Sequence, residues 1–599
     1  MKTPNEKYKR RKNYYHRRLE KQSRDLNIIS NLRLIVALVG VGNMVFLYMT
    51  KGYSLLFYVS LVYVAIFIYL VIKHNKMESK KEYTDLLYRI NNGGLKRVRG
   101  EWKSFEDRGE EFKDEDHSFS DDLDIFGQGS LFQWINVATT YMGRKKLAEY
   151  LSRPCERKDD IHRRQEAVGE LANSLWWRQR LMAEGMTISD ETKNPEALFR
   201  WAEIRNRLYL KTWVRALVLL LPAITLILIF LYFITNSVSH YVPLTALAVQ
   251  AIILRYCNKE RSKALNVVYK YKRSIKAYRQ MLKHIEGKSF KSKGLKELKE
   301  QLINEGGHRA YQQIDRLEKI VENISNRDNA VFIFINIALL WDYQCMIALE
   351  LWKEQSGIYM KTWLDTIGEI EALSSLAIIG HDNRDWVIPK ITDTPSCFRA
   401  IGIGHPLLTH NSVCNDLKIE KPTRVLLITG SNMSGKSTLL RTAGINLVLA
   451  YAGASVYAKS FLCSIMHVHT CMRISDNLEK NISAFYAELL RIRDIVTMTR
   501  GRQVFFLLDE IFKGTNSVDR HEGAKTLIKK LLKDGAVGLV STHDLELGIL
   551  EEESNKEIKN YHFQEYYRDN KIHFDYKLEP GVSTTRNALY LIKILGIND

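Results

Sequence analysis

Between Thr429 and Thr438 the chain reads TGSNMSGKST, which places Gly430, Gly435, Lys436 and Ser437 at the spacing G-x-x-x-x-G-K-[ST]. The chemistry of such a loop is the grip of a phosphate chain. Glycines let backbone N–H groups curl around the phosphates, a lysine ammonium neutralises their outer oxygens, and a hydroxyl ligates Mg²⁺. The expected nucleoside-triphosphate contacts are therefore Gly430, Ser431, Asn432, Met433, Ser434, Gly435, Lys436, Ser437 and Thr438. Two other clusters could complete the chemistry. Asp509 and Glu510 end the apolar run VFFLL, and Thr542, His543 and Asp544 follow VGLVS. Asp509 would join Ser437 in holding Mg²⁺, Glu510 would polarise the attacking water, and His543 could sense the γ-phosphate.

These groups need a rigid sheet to bring them together. Arg424–Ile428 (RVLLI), Val504–Leu508 and Val537–Ser541 read as short buried parallel strands, and Ser437–Val448 as a helix whose N-terminus faces the phosphates. Strands of this kind deliver the residues that follow them to one carboxyl edge, where α/β folds bind ligands.

The segments TGSNMSGKSTLLR, ISAFYAELLRI, LLDEIFKGTNSVD and STHDLEL, in this order and at these separations, resemble the ATPase domain of the MutS family of DNA mismatch-repair proteins, a branch of the ABC ATPases. Asn432-Met433 inside the phosphate loop marks that family. IGHPLL around His405 and Pro406, and Asn415-Asp416, are similar to its lead-in segment; KLEPGVSTTRNALYLIKILGI is similar to its closing element. Asp124–Pro154 and Ile367–Ala377 resemble, more weakly, the two ends of the family's helical core, so the likeness covers roughly residues 120–599.

The resemblance implies a head-to-tail dimer, in which Ser483 of NISAFYAEL would reach the nucleotide held by the other subunit. Lys436 would clamp the β- and γ-phosphates. The chain departs from the pattern at Phe512, where a small residue or glycine is usual, and at Thr584–Leu591, where a serine-tyrosine-glycine run is common. No counterpart of the family's mismatch-reading domain is found before Asp124.

Membrane-type sequence stands there instead. Leu34–Thr50 and Tyr53–Ile72 are each near the roughly 20 apolar residues that cross a bilayer, which predicts a tight transmembrane hairpin. A second pair, Ala216–Ile234 and Tyr241–Leu254, interrupts the helical core; its second member is short enough to be buried or re-entrant instead. Val331–Trp341 is shorter still and is expected in the core. Lys and Arg crowd the outer flanks of both pairs, which by the positive-inside rule puts both termini and the ATPase domain in the cytoplasm of a multi-pass cell-membrane protein.

The expected architecture is an α/β P-loop (ABC-type) ATPase domain preceded by an all-α helical core, with N-terminal and inserted transmembrane hairpins. Its segments are a basic tail (1–33), a hairpin (34–72), a juxtamembrane and acidic linker (73–123), a helical core (124–398) interrupted by a membrane hairpin at about 214–256, and the ATPase domain (399–599). A length of 599 residues accommodates this. Seven cysteines without a C-x-x-C pair suit a reducing compartment. Cys463, His467, His469 and Cys471 invite a zinc reading, against which stands their close spacing.

The net charge of +20 is concentrated. Residues 1–30 hold ten Lys/Arg against three Asp/Glu, and residues 259–299 hold fourteen against three. In the second segment Lys270, Lys272, Arg273, Lys276, Arg279 and Lys283 interleave with Tyr269, Tyr271 and Tyr278. That pattern suits a phosphate backbone or an anionic lipid surface equally. Between Glu106 and Asp124 ten acids face only Arg108 and Lys113, which predicts a solvated linker.

Two functions follow as expectations: a membrane-anchored ATPase, dependent on ATP and Mg²⁺, whose cycle is coupled to DNA; or an ABC-like machine doing mechanical work on a membrane or protein partner without DNA.

Overall fold

The computed structural model describes residues 3–188, 194–235, 238–325, 327, 332–408, 412–473, 484–568 and 571–583. They form two compact units, Met1–Trp102 with Trp176–Met186, and Lys103–Leu175 with Thr187–Asp599.

The first unit is an antiparallel pair of 46-residue helices, α1 (Pro4–Met49) and α2 (Tyr53–Val98), with α6 (Leu175–Gly185) against their charged ends. The basic N-terminal segment is thus a folded helix, unlike the expected tail. Thr3 and Glu6 close a capping box and Pro4 takes the first turn, so the helix has a defined start. The apolar halves turn outward: Leu38, Phe46, Phe57 and Leu61 are exposed. Between them Gly40 lets the Tyr63 ring approach, and Asn43 Nδ2 donates to Tyr63 Oη at 2.7 Å. The charged halves bury Tyr15, Leu87 and Ile90 together with Ala183 of α6, and the Arg11 guanidinium lies 3.2 Å from the centre of the Trp176 ring. Both long helices are apolar enough to cross a membrane.

In the second unit the helical part comprises α3 (Leu131–Ile135), α4 (Tyr141–Ser152), α5 (Lys158–Ala172), α7 (Glu196–Glu203), α8 (Thr212–Thr235), α9 (Tyr241–Arg255), α10 (Asn258–Lys270), α11 (Lys272–Glu286), α12 (Lys293–Glu300), α13 (Ala310–Ser325), α14 (Phe332–Leu339), α15 (Trp341–Ser356) and α16 (Met360–Asp382). Its spine is α16, buried along nearly its whole length. Gly368 lets α16 meet the backbone of α4 at Met142, and Thr139 and Thr140 donate from backbone and hydroxyl to the buried Glu371. Burial pushes the Glu371 carboxyl up, and those donors oppose the shift.

The insertion has three apolar helices. α8 is long enough to span a bilayer and α9 is shorter. α14 corrects the expectation for Val331–Trp341: of its described residues, Ile333 and Phe334 are 63% and 74% exposed, and the helix packs on α8 and α9. Its short apolar run suggested a core helix, but its neighbours are themselves apolar surface helices. The chain bends by 70° at Leu340 (φ 49°) before continuing into α15. Beneath this bend Asp342, almost fully buried, faces Arg327 at 3.3 Å and Arg261 at 3.9 Å.

The α/β part holds two sheets, ordered β1-β5-β2-β3 and β10-β9-β4-β8-β7-β6. The first contains β1 (Lys390–Ile391), β2 (Phe398–Ile403), β3 (Asn415–Ile419) and β5 (Ser460–Cys463). The second contains β4 (Val425–Thr429), β6 (His467–Cys471), β7 (Val504–Asp509), β8 (Val537–Thr542), β9 (Ile558–Arg568) and β10 (Lys571–Pro580). From β9 to β6 all pairings are parallel, and β10 closes antiparallel on β9. Helices α17 (Lys436–Ala452), α18 (Ala484–Met498), α19 (Ser517–Lys533) and α20 (Leu550–Glu553) complete this part.

The acidic stretch before Asp124 exposes its acids from Glu110 to Asp116, but its end is docked. Phe119, Asp122 and Leu123 are buried. Asp122 accepts from the Thr470 hydroxyl at 2.6 Å and from the backbone N–H groups of Met472 and Arg473, while Ser118 O accepts the Thr470 N–H. The edge strand β6 supplies donors that these acceptors satisfy, which composition alone does not reveal. Cys463 lies in a different sheet from His467, His469 and Cys471, and among the described residues no three of these four gather for a metal.

Candidate nucleotide site

Parallel pairing puts the carboxyl ends of β4, β7 and β8 side by side, with Thr429 beside Thr542 and Asp509 beside Ser541. The loop after β4 therefore meets the acids after β7 and the histidine after β8. All five residues of β4 are buried, which fixes the base of the loop. The loop turns through left-handed backbone at Gly430 (φ 149°), Met433 (φ 67°) and Gly435 (φ 104°), and α17 begins at Lys436. Side chains at the glycines would collide: a Cβ on Gly430 would lie 2.9 Å from Ser434 Oγ, and one on Gly435 3.1 Å from the Tyr576 ring.

Lys436 is buried, and its ammonium donates to Gly430 O at 2.9 Å and Ser431 O at 2.8 Å. Burial lowers its affinity for the proton, and Glu510 (3.8 Å away) and Asp509 counter that effect. Glu510 pairs closely with His543 and, at 3.1 Å, with Lys513. Its hydrogen bond with His543, ahead of the opposing cost of burial, holds the carboxyl at about 2. His543 Nε2 also lies 2.8 Å from Asn432 Oδ1 and 3.5 Å from the lysine ammonium. Lys436, Glu510 and His543 thus form one contiguous polar cluster with the loop. Asp509 accepts the Ser541 hydroxyl, and Ser437 lines the adjoining cavity. A carboxylate and a hydroxyl beside a loop of backbone donors are the oxygen ligands that Mg²⁺ prefers.

The cavity of about 460 Å³ is lined by Asn432 to Leu439, Glu510, His405, Val413, Phe563 and Tyr576, among others. This volume lies within the roughly 300–1,000 Å³ typical of small-molecule sites. His405 is buried in its wall, and desolvation drops its pKa to about 4. Tyr576 was not foreseen. It sits at an irregularity in the β9–β10 pairing with φ 56°, and Asn415 clamps it in place: Nδ2 donates to Tyr576 O at 3.0 Å, while Leu578 N–H donates to Oδ1 at 2.9 Å. The Asn415-Asp416 pair was legible in the sequence, but its partner lies far along the chain. Ser431 donates to Glu565 at 2.5 Å, another partner from β9 that the loop motif did not announce.

The departure at Phe512 has a structural counterpart. Phe512 adopts φ 61°, backbone that a glycine takes without a Cβ penalty, and its ring is buried against Gly523. Its N–H donates to Glu488 at 2.5 Å. Ser483 and Thr584–Leu591 lie outside the described residues.

The comparisons agree with this geometry. A family model, MutS domain V, matches residues 426–599. The DNA mismatch repair protein MutS of Aquifex pyrophilus is 31% identical over 236 residues, 39% of this chain and 27% of that protein. The proteins of the same description from an Exiguobacterium species and from Bacillus cytotoxicus are each 24% identical across 79% of this chain, and 59% and 56% of their own lengths. The chain thus spans less than two thirds of these relatives. A strand-loop-helix site of this build, a matched domain V over residues 426–599 and similarity across 79% of the chain together support a MutS-family protein.

Proposed function

We propose that this protein is a membrane-anchored ATPase that binds and hydrolyses ATP in a head-to-tail dimer and couples that cycle to DNA. The observation that carries the reading is the meeting of Lys436, Glu510 and His543 beside one cavity, with Asp509 on the neighbouring strand. That the relatives are DNA mismatch repair proteins supports the DNA part. Lys436 is poised to exchange its two loop carbonyls for phosphate oxygens. The ring of Tyr576 offers a flat face for the base. Ser437 and Asp509 would hold Mg²⁺, which supplies positive charge to the phosphates.

Glu510, ionised throughout the physiological range, orients the attacking water. His543, tied to both Asn432 and Glu510, links the loop to that carboxylate, so a γ-phosphate displacing either contact is felt by the other. Ser483 is the proposed contact across the dimer. The apolar halves of α1 and α2, with α8, α9 and α14, are proposed to lie in the membrane, with both termini cytoplasmic. The Arg261–Asp342–Arg327 group, centred on the buried Asp342, favours a second reading, mechanical work on the membrane segment, because it ties the base of the apolar insertion to α15. The deciding experiment is ATP turnover of detergent-solubilised protein with and without duplex, mismatched and branched DNA at two salt concentrations, with Lys436→Ala as the blank. Salt-sensitive stimulation by DNA supports the first reading; turnover indifferent to every DNA supports the second.

A further inference from the structure

The charged half of α1 carries two faces. One packs inward through Tyr8, Arg11, Tyr15, Gln22, Leu26 and Ile29. The other exposes Arg10, Tyr14, Arg17, Lys21 and Arg24 at alternating steps of four and three, a single stripe, flanked by Lys9 and Arg18. Among the described residues Arg10, Arg17, Lys21 and Arg24 take part in no ion pair. The only acid between Lys9 and Arg24 is Glu20, which lies 3.6 Å from His16.

Lipid is the obvious taker for positive charge beside a membrane span, and the continuity of α1 argues against it. This step rests on the proposed membrane hairpin. The helix runs unbroken from Pro4 to Met49, and its apolar stretch begins at Leu34. At 1.5 Å per residue Arg24 lies about 15 Å, Arg17 about 26 Å and Arg10 about 36 Å beyond Leu34 along the axis. A typical tilt of about 20° shortens these reaches only slightly. The field of an anionic leaflet decays over a Debye length of about 8 Å at physiological salt. The cap at Thr3 and the packing of Tyr15 and Arg11 on α2 and α6 keep the segment helical and prevent it from folding back as a loose tail.

We infer that this stripe is a docking surface for the phosphate backbone of duplex DNA. Its side chains are mostly guanidinium groups, which suit phosphate oxygens in paired hydrogen bonds. From Arg10 to Arg24 the stripe measures about 21 Å, the axial length of roughly six phosphates of one strand. Contacts of this kind position a duplex without reading its sequence.

The test uses the full chain in nanodiscs of phosphatidylcholine alone, which removes anionic lipid, and measures the affinity for a duplex over a series of salt concentrations. The variant R10Q/R17Q/K21Q/R24Q is compared with wild type and with K270Q/R273Q/K276Q, a charge-removal control elsewhere in the chain. The inference expects the α1 variant to lower the slope of log affinity against log salt by about 3–4 and to weaken binding more than tenfold near physiological salt. Helix content and ATP turnover without DNA stay at the wild-type level. A slope unchanged from wild type overturns the inference and leaves the DNA-coupled function standing. So does an effect that emerges only when phosphatidylserine is added, which would make the stripe a lipid contact. Wild type that binds no duplex at any salt sinks the inference and the DNA-coupled function together.

Discussion

The cation of the glycine-rich loop after β4 and the cations of α1 are held in opposite ways. Lys436 is buried, with two carbonyls and the carboxylates of Asp509 and Glu510 in range, so its charge is confined to one cavity. Arg10, Arg17, Lys21 and Arg24 are exposed and spaced along a rigid rod. The first arrangement suits a compact anion held by pre-placed groups; the second suits a long one met through counterion release. The basic segment at 259–299 falls between them. Its Tyr271 and Tyr278 are core residues and Arg279 is committed to Asp315 (2.8 Å) and Glu318 (2.6 Å), while its exposed cations, among them Lys259, Lys263, Lys270, Arg273, Lys276, Lys283 and Lys296, are spread over α10, α11 and α12. Counting charges ranks this segment above α1; what sets α1 apart is that its exposed cations lie on one unbroken helix rather than on three.

The sharpest way to break the comparison is Lys436→Ala. Loss of a buried, pre-placed cation should cut ATP turnover by about 10²–10³ or more, measured as phosphate release, while duplex affinity without nucleotide stays near wild type. Salt is the converse probe. Raising it from 50 to 200 mM should weaken duplex binding by about 10²-fold for four neutralised phosphates, in an anisotropy titration, and should change ATP affinity far less. If both ligands respond alike, the two sites are not different in kind. Removing Lys270, Arg273 and Lys276 should alter duplex affinity by only about 2–3-fold, since each exposed charge acts weakly at physiological salt. A loss as large as that of the α1 variant would reverse the ranking of the two basic segments.

Acid offers a finer distinction. The wall of the cavity beside the glycine-rich loop contains His405, with its pKa depressed from 6.5 to about 4. The unfolded chain therefore binds the proton more readily, and the stability His405 contributes is complete above about 6.5 and lost as pH falls toward 4. His405→Gln should flatten the fall of thermal midpoint across that window by a few degrees. Glu510 acts lower: its carboxyl is held at about 2, so its contribution is present above the usual carboxylate value near 4.5 and vanishes on the way down to 2.

What the sequence disclosed followed from local rules. Buried β-rich runs ending in Gly430, Asp509 and Thr542 predicted three strands to within a residue, because full burial on both faces leaves a continuous apolar signature. The order of those strands also placed the loop, the acids and His543 at one edge. Partners distant in the chain were illegible. Nothing near Tyr576 announces that Asn415 will seat it over Gly435, and nothing in an acid-rich stretch announces that Asp122 will be buried. α14 was misjudged because length separates spans from core helices only when the neighbours are known. The basic N-terminus read as a tail because its charge masked the pattern of Tyr8, Arg11 and Tyr15, which recur at helical spacing on its buried face.

The docking of Ser118 and Asp122 on β6 reaches beyond local packing. An edge strand invites another chain to extend the sheet, and this is a common route to unwanted association. Here the outward N–H groups of Thr470 and Met472 are already occupied by the protein's own backbone and carboxylate. A second copy finds that stretch of the margin sealed, so pairing of subunits by strand addition is barred there.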